Sequence, residues 1–157
     1  MEVLPFLKCA TFTNKIGYYY RVRCDSLTTG IDQSRLDSMY PAFEKLYVKF
    51  SSATYMPYRD IFETQTFVRI ILGGVMRVSF QNPQSSRDNI KYAISYMDRV
   101  MPTWRKNKYL CLGKHRSKSK KHLAVKLSAV LIRNHLYGLL LFGYKFILTI
   151  SGKDIRL

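Results

Sequence analysis

The chain has 157 residues, of which 47% are hydrophobic and 14% are aromatic, and its formal net charge is +16 from 26 Lys and Arg against 10 acidic residues. The length suits one domain, and the aromatic content excludes a disordered chain. Twelve Tyr and nine Phe favour β-structure, because aromatic rings fit a pleated, half-buried surface.

The positive charge is concentrated in the C-terminal part of the chain. Residues 1–98 contain twelve Lys and Arg against nine acids, a net charge of +3, whereas residues 99–157 contain fourteen against one, Asp154, a net charge of +13. Between Arg99 and Lys153 there is no acidic residue. A long segment of one sign attracts polyanions, so the expected partner is RNA, DNA or an anionic membrane.

The N-terminal part predicts a strand followed by a helix. Residues 18–24 (YYYRVRC) alternate as a half-buried strand with a basic outer face. A polar turn follows over 25–34, and apolar residues then recur at helical spacing as far as Phe50. Pro41 fits best in the first turn of a helix, which predicts that the helix proper runs over 40–50.

Residues 66–80 (TFVRIILGGVMRVSF) predict a β-hairpin. Two runs rich in β-branched residues flank a Gly-Gly pair, which can adopt the positive φ angles of a two-residue hairpin turn. A second helix is expected after an N-cap at Ser85 or Ser86, and Pro102 ends it.

The remaining elements complete an α+β pattern. A third helix is expected over 123–134 and a closing strand over 144–150 (YKFILTI). The order is strand, helix, hairpin, helix, basic loop, helix, strand. We therefore expect one compact α+β domain over 1–157, with an antiparallel sheet, two to three packed helices and a basic loop at about 103–122.

The apolar residues 123–150 do not predict a membrane span. Lys126, Arg133 and Lys145 interrupt them, and the longest uncharged run, 136–144, is shorter than the roughly twenty residues that a span needs. A peripheral contact between a polybasic patch and anionic lipid stays open. The three cysteines form no dense disulfide framework and favour a reducing compartment.

No arrangement of residues predicts catalysis. The carboxylates are scattered, and the chain contains no phosphate-binding glycine loop, dinucleotide fingerprint or G-x-S-x-G motif. Cys111, His115 and His122 have the spacing C-x3-H-x6-H, which lacks a fourth ligand for zinc. We expect a protein that is not an enzyme and that needs neither a metal nor a cofactor.

The candidate binding site is the basic stretch 105–122 (RKNKYLCLGKHRSKSKKH) together with the nearby Lys126. Its cations supply salt-dependent affinity for a polyanion through counterion release. The candidate polyanion-binding residues are Arg105, Lys106, Lys108, Lys114, Arg116, Lys118, Lys120, Lys121 and Lys126. Trp104 and Tyr109 are candidates for stacking on unpaired bases, and the alternative, favoured for Trp104, is that the rings attach the loop to the core.

Two further roles fit the same stretch. Phosphorylation of Ser117 or Ser119 would remove much of the local positive charge. The cluster of basic residues also matches a nuclear-import signal.

Several segments in order resemble the central domain of rhabdovirus matrix proteins. They are YYYRVRC, a polar turn, LDSMYPAFEKLYVKF and FVRIILGGVMRVSF, and the C-terminal GLLLFGYKFILTISGKDI is similar to the way those domains close. The Pro-Pro-x-Tyr type motif that often occurs in the family is not present. The resemblance implies a non-enzymatic structural protein that self-associates, condenses a ribonucleoprotein and binds the inner face of an envelope.

We therefore expect a viral matrix-like protein in the virion and the host cytoplasm, peripheral to the membrane, with nuclear entry open. It would form homo-oligomers and would join a nucleocapsid or its RNA to an anionic inner leaflet. The alternative is an RNA-binding protein of a ribosome or another ribonucleoprotein particle. A viral movement or silencing-suppressor protein is a third hypothesis.

Overall fold

The computed structural model describes residues 32–113 and 119–151, and within these ranges every regular element is a helix. The α-helices are α1 (Gln33–Phe50), α2 (Arg59–Thr66), α3 (Met76–Gln81), α4 (Ser86–Val100), α5 (Lys120–Arg133) and α6 (Tyr137–Ser151). A wider π-helical stretch, Phe67–Val75, joins α2 to α3, and short 3-10 turns lie at Met56–Tyr58, Pro83–Ser85 and Trp104–Lys106. The expected α+β fold with an antiparallel sheet is therefore wrong. The strand predicted at 18–24 lies outside the described residues.

Helix α1 begins earlier than its sequence predicts. Asp32 has an extended backbone, and its Oδ1 accepts a hydrogen bond of 2.8 Å from the Arg35 backbone N–H, as an N-cap residue does. Pro41 lies in the helix interior rather than in the first turn. The predicted range of 40–50 is wrong at its start, because the N-cap and the burial of Tyr40 outweigh the cost of an interior proline.

Residues 66–80 belong to a continuous helical segment, 59–81, which we call the central helix. It consists of α2, the π-helical stretch and α3, and the backbone is right-handed helical at both junctions. Most of its apolar side chains after Thr66 are buried. A helix enclosed by its neighbours is apolar on most sides, so its sequence shows the same short apolar runs as a buried strand. The hairpin prediction is wrong for this reason.

The Gly-Gly pair serves close packing and not a turn. Neither Gly73 nor Gly74 has a positive φ. A Cβ added to Gly74 would lie 2.7 Å from Cδ1 of Leu36, a fully buried residue of α1. The missing side chain therefore lets α1 pack directly against the central helix.

Helix α4 confirms the predicted second helix. Ser85, one of the two predicted residues, occupies the N-cap position, although its side chain makes no capping hydrogen bond. The helix ends at Val100, before Pro102. Its apolar side packs against the central helix. The Tyr96 hydroxyl donates a hydrogen bond of 2.7 Å to the Tyr40 carbonyl oxygen, which fastens α4 to α1.

Helices α5 and α6 form a helical hairpin. They pack against each other and are connected by only three residues, 134–136. The C-terminus of α5 has both hydrogen bonds of a Schellman motif: Leu136 N–H to Leu131 O at 2.9 Å and His135 N–H to Ile132 O at 3.0 Å. His135 has the left-handed backbone that this motif requires, with φ of 57°. Helix α5 is the predicted third helix, which begins three residues earlier than expected.

Residues 144–150, predicted to be a closing strand, lie inside α6. The packed side of α6 has the spacing i, i+3, i+4, i+7 and consists of Tyr137, Leu140, Leu141 and Tyr144. The exposed side is also apolar and carries Leu139, Phe142 and Phe146. The strand prediction is wrong because apolar residues on both sides hide the helical period.

The buried side chains of the described residues form one cluster around the central helix. Phe62 stacks on Phe50 of α1 with ring centroids 4.4 Å apart, and Phe67 contacts Trp104 on the other side. None of the described helices is both long and apolar enough to cross a membrane.

Candidate polyanion-binding surface

Trp104 attaches the start of the basic stretch to the protein core. Its side chain is 1% exposed, and its indole stacks on Phe67 with centroids 5.7 Å apart. The guanidinium carbons of Arg105 and Arg133 lie 5.0 and 5.9 Å from the indole centroid, a favourable cation–π arrangement. The ring is therefore buried within the fold, which favours the attachment of the loop to the core over the stacking of Trp104 on bases.

Asp98, near the end of α4, binds both Trp104 and Arg105. Its Oδ1 accepts hydrogen bonds from Trp104 Nε1 at 2.9 Å and from Arg105 Nε at 2.7 Å, and its Oδ2 accepts from Arg105 Nη2 at 2.8 Å. The paired bonds from Arg105 hold the pKa of Asp98 below its ordinary value. Arg105, a candidate polyanion contact, is therefore already engaged in an internal ion pair.

A buried carboxylate holds the next turn of the chain. Glu63 of α2 is fully buried, and it accepts hydrogen bonds from Thr103 Oγ1 at 2.5 Å and from Asn107 Nδ2 at 3.1 Å. Burial raises the pKa of Glu63, and the hydrogen bonds from Thr103 and Asn107 partly offset that rise. The stretch between Thr103 and Asn107 is thus fastened to α2 through one carboxyl group.

Asn107 extends this attachment to the following residues. Its Nδ2 also donates to the Asp60 carbonyl oxygen at 2.7 Å, and its Oδ1 accepts the Tyr109 backbone N–H at 2.9 Å. The Asp60 carboxylate lies 3.7 Å from Lys108 Nζ. The carboxylates of Asp60, Glu63 and Asp98, which all precede the acid-free region, therefore position the first part of that region.

Tyr109 and His122 bring the two described ends of the basic stretch together. His122 Nε2 lies 3.0 Å from the Tyr109 carbonyl oxygen, and the two rings are 6.4 Å apart. Because a carbonyl oxygen only accepts hydrogen bonds, Nε2 is the donor in this contact. The part of the chain before residue 114 and the part after residue 118 meet at this contact.

Exposed lysines lie on both sides of the contact, and we call them the basic surface. They are Lys106, Lys108, Lys120 and Lys121. Lys108 pairs with Asp60 and still has 53% of its side chain exposed. Over the ranges 32–113 and 119–151, no carboxylate lies within ion-pair distance of the other three lysines. Such a cluster attracts phosphate groups.

The other candidate residues have different positions. Lys126 is only 4% exposed, on the packed side of α5, so its side chain does not belong to the basic surface. Tyr109 is half-buried, with Lys108 Nζ at 5.2 Å from its ring centroid, and its role in stacking stays a prediction. Lys114, Arg116, Lys118 and Ser117 lie outside the described residues. Ser119 is exposed, immediately before α5.

Two of the three residues considered as zinc ligands, Cys111 and His122, are among the described residues, and both contact other protein groups. Cys111 Sγ receives a hydrogen bond from Arg133 Nη1 at 3.4 Å, and His122 contacts Tyr109. His115 lies outside the described residues. Among the side chains that the structure places, no group of three His, Cys, Asp or Glu is arranged to hold a metal ion.

A cavity of about 350 Å³ lies beside the basic surface, between the central helix and the start of α5. Its lining includes Ile61, Gln65, Val68, Tyr109, Lys121 and Val125. The cavity thus lies under the same contact that joins the two ends of the basic stretch.

Sequence reasoning missed the carboxylates that hold the basic stretch. It treated the acids as scattered, and it placed no helix at Glu63. The available signal was the position of Glu63 four residues before Phe67, on the side of a helix that carries core residues. A charged residue on a buried face is rare unless it has partners.

No family model matches the chain, and no curated protein or solved structure matches it either.

Proposed function

We propose that the chain is a non-enzymatic structural protein that binds polyanions through the basic surface. In this matrix-like role it self-associates and joins a ribonucleoprotein to the anionic inner leaflet of a membrane, in the virion and at the periphery of host membranes. The observation that carries the proposal is that the Tyr109–His122 contact joins two chain segments, each with two exposed lysines. Its setting, without an acid between Arg99 and Lys153, supports an anionic partner.

Charge supports this proposal more strongly than shape does. Two of the segments that resemble rhabdovirus matrix proteins, 67–80 and the described part of 138–155, are helical in this fold. The positive region is common to a matrix-like protein and to an RNA-binding protein of a ribonucleoprotein particle. The membrane and the self-association are therefore what an experiment must distinguish.

The test compares two variants that lose the same charge. The first replaces Lys106, Lys108, Lys120 and Lys121 with Gln, and the matched control replaces the exposed Lys45, Arg69, Arg87 and Lys91 with Gln. Binding to single-stranded RNA and flotation with anionic or neutral vesicles are measured over a range of salt concentrations. Each phosphate contact contributes about 0.7 to the logarithmic salt slope for a single strand, so we expect the first variant to lose up to about 3 units of slope and the control to lose little.

The outcomes separate the alternatives. Equal losses in both variants would show that net charge, and not the basic surface, binds the anion. Binding to RNA without binding to anionic vesicles would favour the ribonucleoprotein alternative. Concentration-dependent oligomers in analytical ultracentrifugation, together with flotation on anionic vesicles, are the result expected of a matrix-like protein.

A further inference from the structure

The cavity beside the basic surface is almost wholly lined by carbon atoms. Ile61 and Val68 of the central helix and Val125 of α5 form its apolar walls. The Thr64 hydroxyl at its edge donates a hydrogen bond of 2.8 Å to the Asp60 carbonyl oxygen, so this hydroxyl proton is not available to a ligand. With a volume of about 350 Å³, the cavity lies within the range of small-molecule sites, about 300–1,000 Å³.

The charged side chain that lines the cavity is a cation. It belongs to Lys121, which is exposed. No carboxylate of the described residues is part of the lining. The cavity therefore combines an apolar interior with a cationic group at the surface, which suits a molecule that has an apolar body and an anionic end.

We infer that this cavity binds a single hydrocarbon chain that ends in an anionic group, with the group beside Lys121. Burial of the chain among Ile61, Val68 and Val125 provides the affinity, and the Lys121 ammonium selects the negative charge. Such a chain is found in a free fatty acid and in an anionic phospholipid. A nucleobase suits the cavity less well, because its polar edges need hydrogen-bond partners that the apolar walls do not provide.

The inferred site goes beyond the proposed polyanion-binding function and does not depend on it. A monomeric fatty acid carries one charge, so its binding does not require the full set of lysines on the basic surface. Loss of RNA and vesicle binding after substitution of Lys106, Lys108 and Lys120 would leave the cavity intact. The two proposals can therefore fail separately.

The first experiment measures the affinity of the full chain for octanoate, decanoate, dodecanoate and hexadecanoate by displacement of a fluorescent fatty acid. Each methylene that enters the cavity should raise the affinity about fourfold. We expect the increase to stop when the chain exceeds the cavity. An affinity that rises without limit, or no measurable binding of any acid, would overturn the inference.

The second experiment uses variants of the lining. Gln65 is half-buried at the cavity, and Gln65→Trp should fill space that at least two methylenes would occupy, with a loss of about tenfold or more. Val48→Trp, at a position of α1 that is 72% exposed, is the control and should bind as the original chain does. Thermal unfolding of both variants checks that they fold, and Ile61→Trp, at the same cavity, gives an independent second measurement. If Gln65→Trp and Ile61→Trp both bind normally, the ligand lies elsewhere and the inference is wrong.

The third experiment tests the charge. Lys121→Gln should weaken dodecanoate about threefold and leave dodecanol unchanged, because an exposed ion pair contributes little more. Equal affinity of the original chain for dodecanoate and dodecanol would contradict an anionic ligand. Flotation on vesicles that contain phosphatidylserine shows whether the hydrocarbon chain belongs to a phospholipid or to a free fatty acid. If the ligand is a phospholipid, Gln65→Trp should also weaken flotation. If it is a free fatty acid, the variant should float as the original chain does.

Discussion

The two described ends of the basic stretch carry their positive charge in different ways. Before residue 114, Arg105 and Lys108 face the carboxylates of Asp98 and Asp60. After residue 118, Lys120 and Lys121 lie in the first turn of α5, which has no acidic residue. Cations are unfavourable at a helix N-terminus. Two of the three cations at the first end, Arg105 and Lys108, thus face carboxylates of the fold, whereas both lysines of the second end gain most from an anion supplied from outside.

The difference teaches that a run of like charges in sequence is not a uniform surface. Basic residues that look equivalent divide into those that hold the segment in place and those that remain exposed. The division depends on acidic residues that lie far away in the chain, at Asp60, Glu63 and Asp98. The predictions that follow test whether the two ends differ in stability as they do in contacts.

The largest expected effect is at Trp104, which attaches the first end to the core. Trp104→Ala should lower the free energy of unfolding by about 3–5 kcal/mol, because it removes a fully buried ring and its bond to Asp98. Unfolding in urea is monitored by circular dichroism. Tryptophan fluorescence is unsuitable, because Trp104 is the only tryptophan and the variant lacks it. Trp104→Phe, which keeps a ring against Phe67, should lose less. A loss below about 1 kcal/mol in Trp104→Ala would show that the ring is not an attachment point.

The next effect concerns Asp98. Asp98→Ala should lower the free energy of unfolding at neutral pH by about 1–2 kcal/mol, because it leaves Trp104 Nε1 and Arg105 without their acceptor. The pKa of Asp98 is lowered in the fold, so its contribution is present above the ordinary value of 3.8 and is lost as the pH falls through the folded value. The difference between the original chain and the variant should therefore shrink in acid. A difference that is the same at all pH values would contradict the ion pair.

Glu63 should give the opposite dependence on pH. Its pKa is raised in the fold, so the native state holds the proton more tightly than the unfolded chain, and the free energy of unfolding falls as the pH rises above the ordinary value of 4.5. Glu63→Gln can still donate to Thr103 Oγ1 and accept from Asn107, and it should lack this fall. Unfolding measured at several pH values compares the two proteins. Parallel profiles would show that Glu63 does not titrate in this range.

The smallest expected change in stability is at the second end. Lys120→Gln combined with Lys121→Gln should change the free energy of unfolding by no more than about 0.5 kcal/mol, because both side chains are exposed. The same variant should reduce the salt slope of RNA binding by about 1.4. Destabilisation above about 1 kcal/mol would mean that these lysines also serve the fold, and the contrast between the two ends would be lost.

Sequence patterns identified some elements correctly and others not. Helix α4 was predictable because one face is buried and the other is solvated, and because Ser85 and Pro102 mark its ends. The central helix and α6 were mistaken for strands because they are apolar on more than one side. The helical period of apolar residues is visible in a sequence only when polar residues mark the opposite side of the helix. Neither the central helix nor α6 has a continuous polar side.

Charge alone predicted the stretch 105–122 as the candidate site and a polyanion as its partner, and both stay predictions. The sequence did not predict how the residues of this stretch are placed. It did not distinguish the exposed Lys121 from the buried Lys126, five residues further along α5, since both are lysines on a helix. Only the packing of α5 against its neighbours decides which of them faces the solvent.

The sequence by itself determined the charge imbalance, the absence of known catalytic motifs and the amphipathic helix α4, because these follow from composition and local spacing. The tertiary structure alone decided that every regular element of the described residues is a helix, because buried helices and buried strands use the same apolar residues. It also decided the role of each charge. A carboxylate such as Glu63 acts on Thr103 and Asn107 only after folding brings residues forty or more positions apart within hydrogen-bond distance.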